Sequence, residues 1–504
     1  MTVNDNGNHS EVENTVEARE QTPLPRLQLA ITYLIAGAEP VANSVIYPFV
    51  NQFVRETGIT GGDERKTGYY AGIIESVFYI AECATVLLWG RASDHWGRRP
   101  ILLAGTIGLA MAMLGFGLST HFWMLVVSRC AQGAFNGNIG VVKNVMAEIT
   151  DSSNRAAAFS FYGPVWAAGS TLGPLIGGGL ARPAQRWPET FGKIQLFVSH
   201  PYFLPCAIAG VYSIFSFVIS AICLRETLPS IVAWQSSKNM EQAERAPNLE
   251  TALLEGEHHP GYGATSDDDL STCSSTSSTR SKPESFTSPP VLSVLTGPVC
   301  LALTNLGILA FTDQAYQALI PLMYSTSIPL GGLNFTPARI GTILGTWGVL
   351  NGVTNIMCFA YAIRRWGPRT VFRVSFGSYF ISIGAFPLMS ILAKRSGEFD
   401  IWVAAAMLLQ LTSYMMSFFA YGAIQIFVID SMPSPEAMAT VNGIAQVATS
   451  SMRSLGPSFS SSLFSVSLEH HLLGGYMVYV VLASVILIGL QISSKLPHHL
   501  VGKM

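Results

Sequence analysis

Apolar residues along this chain come in long blocks rather than in alternation. Blocks near 27–54, 68–89, 100–118, 122–147, 156–181 and 201–224 precede a polar gap, and blocks near 294–324, 338–362, 372–393, 400–428, 437–466 and 473–493 follow it. A helix needs about 20 apolar residues to cross a hydrocarbon core, and the blocks are of that order. They are too long for barrel strands, and a spanning backbone must satisfy its own hydrogen bonds, so the pattern predicts an all-α membrane protein. Its expected form is twelve transmembrane helices in two six-helix bundles. The division is a polar tail over 1–26, a first bundle over 27–229, a linker over 230–290 and a second bundle with a short tail over 291–504.

Composition sharpens this. The 504 residues are 49% hydrophobic and 12% charged. Soluble domains carry about 25% charged residues, so a soluble enzyme and a disordered scaffold are both excluded. Residues 1–26 hold five acids and two bases, too polar for a signal peptide, and the first span is expected to act as its own insertion signal. Residues 230–290 hold nine acids and four bases, with the run Asp267-Asp268-Asp269 and a Ser/Thr-rich stretch over Ser271–Ser278. This is the composition of a disordered cytoplasmic tether, and its Ser/Thr run also invites phosphorylation. Leu253-Leu254 after Glu250 is one residue short of the usual acidic dileucine spacing. Net charge is −2, which gives no reason to expect nucleic-acid binding, and the seven cysteines show no C-x-x-C spacing. Neither a disulfide framework, a metal site nor a cofactor is expected.

The two halves repeat each other. Trp96-Gly97-Arg98-Arg99 corresponds to Trp366-Gly367-Pro368-Arg369 at an offset of 270, Pro48 to Pro321 at 273, and Leu172-Gly173-Pro174 to Leu455-Gly456-Pro457 at 283. Duplicated bundles with a site between them are a transporter architecture. Arg91, Arg98 and Arg99 after the second span, and Arg364, Arg365, Arg369 and Arg373 after the eighth, place those loops and both termini in the cytoplasm by the positive-inside rule. Arg55, Arg65, Lys66, Arg182, Arg186 and Lys193 fall on the opposite side and weaken the bias.

Ionisable residues inside spans are costly and mark pathways. Glu39, Asn43 and Tyr47 share one face of the first span, and Glu75 and Glu82 one face of the second. Arg129, Gln132, Asn136 and Lys143 form a stripe on the fourth, and Asp313, Tyr316 and Gln317 a face of the seventh. Any one of these could be a structural partner of an arginine. Four stripes together predict a wet cavity between the halves. A carboxylate in an apolar cavity holds its proton more tightly than one open to water, so alternate opening could move protons. Glu39 and Asp313, at matching places in the repeat, are the expected carriers; Arg129 is the expected modulator or structural partner of a carboxylate.

The segment Gly90-Arg91-Ala92-Ser93-Asp94-His95-Trp96-Gly97-Arg98-Arg99 resembles the loop motif G-x-x-x-D-x-x-G-R-R of the major facilitator superfamily. Arg129-x-x-Gln132-Gly133 resembles that superfamily's R-x-x-Q-G motif, and Gly169-x-x-x-Gly173-Pro174-x-x-Gly177-Gly178 its antiporter motif. Arg225-Glu226-Thr227-Leu228-Pro229 is similar to its P-E-T-L ending, with Arg in place of Pro. The resemblance covers about 27–495. Within it, Glu39-Pro40 and Gly72-x-x-Glu75-Ser76 are similar to the drug:proton antiporter branch near the zinc-induced-facilitator-like proteins. The N-terminal cysteine cluster of the plant members is missing.

The resemblance implies that the 90–99 cluster latches the halves on the cytoplasmic side and that the antiporter motif marks an exporter. The plainer readings are a positive-inside anchor and close helix packing. Arg364 stands where a second copy of Asp94 would be, so a one-sided latch is expected. The function expected is secondary active transport of a small molecule, as proton-coupled export or sequestration, by a monomer in the plasma or vacuolar membrane. An uncoupled or symporting facilitator of an organic anion, and a non-transporting sensor on the same fold, are the alternatives. The sugar-porter ending is absent after the sixth span, and no pairing of nucleophile with base suggests an enzyme.

Overall fold

The computed structural model describes residues 22–151, 153–229, 231–233, 237, 294–432 and 438–497. Residues 1–21 and nearly all of the 230–290 linker, including the Asp and Ser/Thr runs and Leu253-Leu254, lie outside the described residues.

Helices follow in the order the apolar blocks predict, but several spans are broken rods. The first runs Arg26–Ser44, turns, and resumes as Val50–Glu56. Pro48 lies in that turn, where its missing N–H removes a ladder bond. The second and third, Thr67–Trp96 and Arg98–Gly117, are hinged at Gly97, whose φ of 101° only glycine adopts readily. The fourth is Phe122–Asn136 then Ile139–Glu148, the fifth Arg155–Ser160 then Tyr162–Leu180, and the sixth Phe203–Cys223. In the second half, the seventh is Gly297–Ser325. The eighth and ninth form one stretch, Pro337–Ser396, that turns back at Gly367 with φ 73°. The tenth is Ile401–Ser417 then Phe419–Asp430, the eleventh Met438–Glu469 and the twelfth Met477–Ser493. Counting each broken rod once gives twelve spans among the described residues.

Five stretches, Glu64–Trp96, Arg98–Gly117, Phe203–Cys223, Pro337–Ser396 and Ile401–Asp430, are long and apolar enough by themselves to cross a membrane. The seventh and eleventh have the length but carry many polar residues. We call the end bearing 57–66, 326–336 and 470–476 the outer end, and the end bearing Gly97 and Gly367 the inner end.

Small residues set the packing. A Cβ on Gly169 would stand 2.6 Å from Pro40 Cγ, and Gly173 and Gly177 press on Ser44 and Val45, so the fifth span lies against the first. Gly456 presses on Phe311 and Ala315 in the same way, which lays the eleventh span against the seventh. The Leu-Gly-Pro repeat is thus a repeat of packing. Two seams join the halves: Gly178 meets Gly341, where a Cβ would come within 2.7 Å of the Gly341 Cα, and Gly72 meets Pro457 and Ser458 at 3.0 Å. Close approach through small residues substitutes for the hydrophobic drive that lipid does not supply. Both of these contacts lie in the outer part of the seams.

Candidate functional site: a charged cluster between the halves

In the first half the fourth span can approach the second because Gly133 has no side chain to strike the Phe78 carbonyl. That brings Arg129, wholly buried, within reach of three acceptors: Asn43 Oδ1 at 2.9 Å, Gln132 Oε1 at 2.8 Å and the Ile74 carbonyl at 3.3 Å. Its guanidinium also lies 4.5 Å from the Phe78 ring centre. Asn43 in turn donates to the hydroxyls of Tyr79 at 2.9 Å and Tyr47 at 3.2 Å. Glu75, also buried, is the acid that faces Arg129. The sequence leaves open which carboxylate Arg129 serves; the structure puts Glu75 there, because the Arg129 side chain runs toward the outer turns of the second span.

Glu39 and Glu82 belong to a second cluster nearer the inner end. Asn136 Nδ2 donates to Glu82 Oε2 at 3.3 Å, and the Asn136 side chain also serves Glu39. The two carboxylates are also close enough to repel each other. Lys143 and Arg453 are the bases that face them. Lys143 Nζ reaches across the halves to Gln446 Oε1 at 3.3 Å.

The second half holds one buried acid at its centre. Asp313 Oδ1 accepts from the hydroxyls of Tyr379 at 2.8 Å and Tyr414 at 3.1 Å, and Oδ2 from Tyr421 at 3.1 Å and Gln317 Nε2 at 2.9 Å. Four donors occupy both oxygens. Tyr316, on the face predicted with Asp313, is instead a core residue, packed on Tyr414 at 4.4 Å and Phe386 at 5.5 Å. Tyr414 stacks on Trp347 at 4.6 Å, so the aromatic layer fixes the rings that hold the acid.

The predicted latch residues also come together, but within one half. Arg98 binds Asp94 Oδ1 at 2.6 Å, Ser93 Oγ at 2.6 Å and Glu148 Oε1 at 2.9 Å. Glu226, from the segment after the sixth span, accepts from the backbone N–H of Arg98 at 2.8 Å and Arg99 at 3.1 Å, capping the third span. Gly97 turns the chain there, while Gly90 lies inside the helix Thr67–Trp96, and Arg91 makes no bond to the other half among the described residues. Contacts between halves concentrate at the outer end. Arg55 pairs with Glu64 at 2.6 Å and donates to the Ser325 carbonyl at 3.2 Å, and Glu64 accepts from Ser327 N at 3.1 Å. Tyr69 reaches Glu469 at 3.1 Å. Beside this clasp is a cavity of ≈ 450 Å³ lined in part by Arg55, Arg182, Gln185 and Asn334. The outer end is closed in this conformation.

Sequence reasoning missed Arg453, the three tyrosines around Asp313, and Glu148. Arg453 had a signal of its own: it is the only base in Met438–Glu469. The tyrosines had none, since each reads as an ordinary aromatic of an apolar span.

Comparison with known proteins agrees with this architecture. Over 499 residues the chain is 29% identical to the major facilitator-type transporter psiT2 of Psilocybe cyanescens, covering 95% of this chain and 92% of that protein. It is 27% identical to the major facilitator superfamily multidrug transporter mfsB of Aspergillus fumigatus, covering 90% of this chain and 81% of that one. It is also 27% identical to ZINC INDUCED FACILITATOR 1 of Arabidopsis thaliana, over 94% and 91%. The crystal structure of a D-xylose-proton symporter shares the fold, with a TM-score of 0.65 at 13% identity over 95% of this chain and 99% of that one. The family model described as Major Facilitator Superfamily matches residues 32–457. Twelve spans, a repeated half and this match over most of its length make the chain a membrane transporter that belongs to the Major Facilitator Superfamily.

Proposed function

We propose that the protein exchanges a small molecule for protons by alternating access, exporting or sequestering the compound across the plasma or vacuolar membrane, with both termini in the cytoplasm. The observation that supports this is the gathering of carboxylates from both halves about Arg453, Glu39 and Glu82 on one side and Asp313 on the other, none of them in an ion pair among the described residues. Such groups exchange protons when their solvation changes, and a rocking of the halves changes it. The similarity to a multidrug transporter of Aspergillus fumigatus favours export over uptake. The 90–99 cluster, now bonded within its own half, would engage the second half when the inner end closes.

The test uses everted membrane vesicles acidified inside, with a pH-sensitive dye and a panel of compounds. Addition of a transported compound is expected to release protons from the lumen. Glu39→Gln and Asp313→Asn, each present at normal abundance, are expected to abolish that release. A normal response in both variants would remove these acids from the coupling step, and no response in wild-type vesicles would reject proton exchange itself.

A further inference from the structure

Arg453 lies in the eleventh span, one turn before Pro457, in a place that no motif accounts for. Glu82 and Tyr79 of the second span, Asp313 of the seventh and Tyr421 of the tenth all face it. So do Glu39 of the first, Lys143 of the fourth and Tyr162 of the fifth. It forms no ion pair among the described residues, and its Nε is buried without a hydrogen-bond partner. Arg129 and its acceptors are closed on each other; Arg453 is not. A guanidinium keeps its charge under all ordinary conditions and offers donors in several directions, so it can serve acids on both sides.

The charges around it do not cancel. Glu39, Glu82 and Asp313 face Lys143 and Arg453, while Glu75 faces Arg129 instead. One acid is in excess, and the two acid sites compete for the same base. We infer that Arg453 is a positioning residue that couples the halves, as the shared counter-charge of two carboxyl sites, Glu39 with Glu82 in the first half and Asp313 in the second. This rests on the proton-exchange reading above. A proton taken up by Glu39 or Glu82 weakens the hold of the first half on Arg453 and leaves it to Asp313; loss of that proton draws the guanidinium back. Glu82 is carried by the second span and Arg453 by the eleventh, and these two spans form one of the two seams, so the seam tightens or loosens with the proton.

Cys83 provides a gauge that needs no transported compound. Its Sγ lies 3.8 Å from Ser451 Oγ across that seam, two residues from Arg453. In a chain whose other cysteines are Ser, the rate of Cys83 labelling by N-ethylmaleimide is measured in membranes from about pH 6 to about pH 8, and the thiolate's own pH dependence is divided out as the ratio of variant to parent. For Arg453→Gln the ratio is expected to change several-fold across that range, while for Arg453→Lys it stays flat. A flat ratio for Arg453→Gln, or a Lys variant that behaves like Gln, would overturn the inference. If Arg453→Gln does not accumulate, the double variant Glu82→Gln/Arg453→Gln, which removes one charge of each sign, decides. It is expected to accumulate and to show the changed ratio, and failure of either overturns the inference. An Arg453-dependent labelling profile in a protein whose vesicles exchange no compound for protons would count against the exchange reading alone.

Discussion

The two halves share a backbone plan and differ in the buried ion that each encloses in its own hydrogen bonds. In the first, the central buried ion is a base, Arg129, enclosed by two amide oxygens, a carbonyl and an aromatic face. In the second it is an acid, Asp313, enclosed by three phenols and an amide. The inner-end loops differ in the same sense. The first copy is braced by Glu148 and Glu226, whereas in the second, among the described residues, Arg364 donates to the Ala360 carbonyl and Arg369 to the Ser494 carbonyl. Duplication kept the glycine contacts that set helix distances, because backbone collisions leave no alternative. Charges at a cavity wall are under no such constraint, and each half has come to enclose a different buried ion in hydrogen bonds of its own.

The comparison breaks most visibly at Arg129. Replacing it with Met keeps bulk and leaves the oxygens of Asn43 and Gln132 buried without donors, at about 1–3 kcal/mol each. Arg129→Met is therefore expected to be strongly depleted from the membrane and to lose thermal stability, measured by fluorescence-detected size exclusion after heating. Asp313→Asn retains an oxygen to accept from the tyrosines and is expected to stay near wild-type abundance. Equal depletion of the two would mean that the halves do not differ in the way described.

The backbone of this contrast was legible in the sequence, and half of its chemistry was. Long apolar blocks and the Leu-Gly-Pro and Trp-Gly repeats fix the spans and the duplication, because bilayer thickness and close packing leave few options. The breaks at 45–49 and 137–138 were not legible, since an apolar block reads as one rod whether or not its ladder is continuous. Acids and bases inside spans announce themselves by their cost in hydrocarbon, which is why Glu39, Glu75, Glu82, Arg129 and Asp313 stood out. Arg453 met the same criterion but sits among the serines of Ser450–Pro457, where the Gly-Pro repeat draws the eye. Tyr379, Tyr414 and Tyr421 come from two spans and converge only in three dimensions.

A smaller effect is expected at the inner-end brace. The Glu148 side chain is 19% exposed and takes two bonds from Arg98, while the Asp94 side chain is 65% exposed. Loss of charged hydrogen bonds at a sheltered site costs about 1.5–3 kcal/mol, and an exposed pair is worth about 0.2–1 kcal/mol. Glu148→Gln should therefore lower the melting temperature more than Asp94→Asn. If Asp94 acts as a latch in the inner-closed state, Asp94→Asn should still slow transport out of proportion to its small effect on stability. Transport at the wild-type rate would leave it as a topology signal.

The smallest effect is expected at the loop between the fourth and fifth spans, and it isolates where pH sensitivity resides. Asp151 there accepts from Ser153, from the Thr22 hydroxyl and from the backbone N–H of Asn154. The hydrogen bonds from Ser153, then Thr22, hold its carboxyl down at about 2. A carboxylate lowered on folding contributes stability above its ordinary value of 3.8 and loses it as pH falls through about 2. Across the range in which membranes are assayed it stays ionised, so this contact between the tail and the loop is constant. Asp151→Asn is therefore expected to leave the pH profile of Cys83 labelling superimposable on that of the parent, whatever it does to the rate. The two sites then separate cleanly: an acid locked by local hydroxyls at the surface contributes nothing to the profile, and the pH response is left to the cluster around Arg453. A shifted profile in Asp151→Asn would move part of the pH response out of the central cluster and into the tail contact.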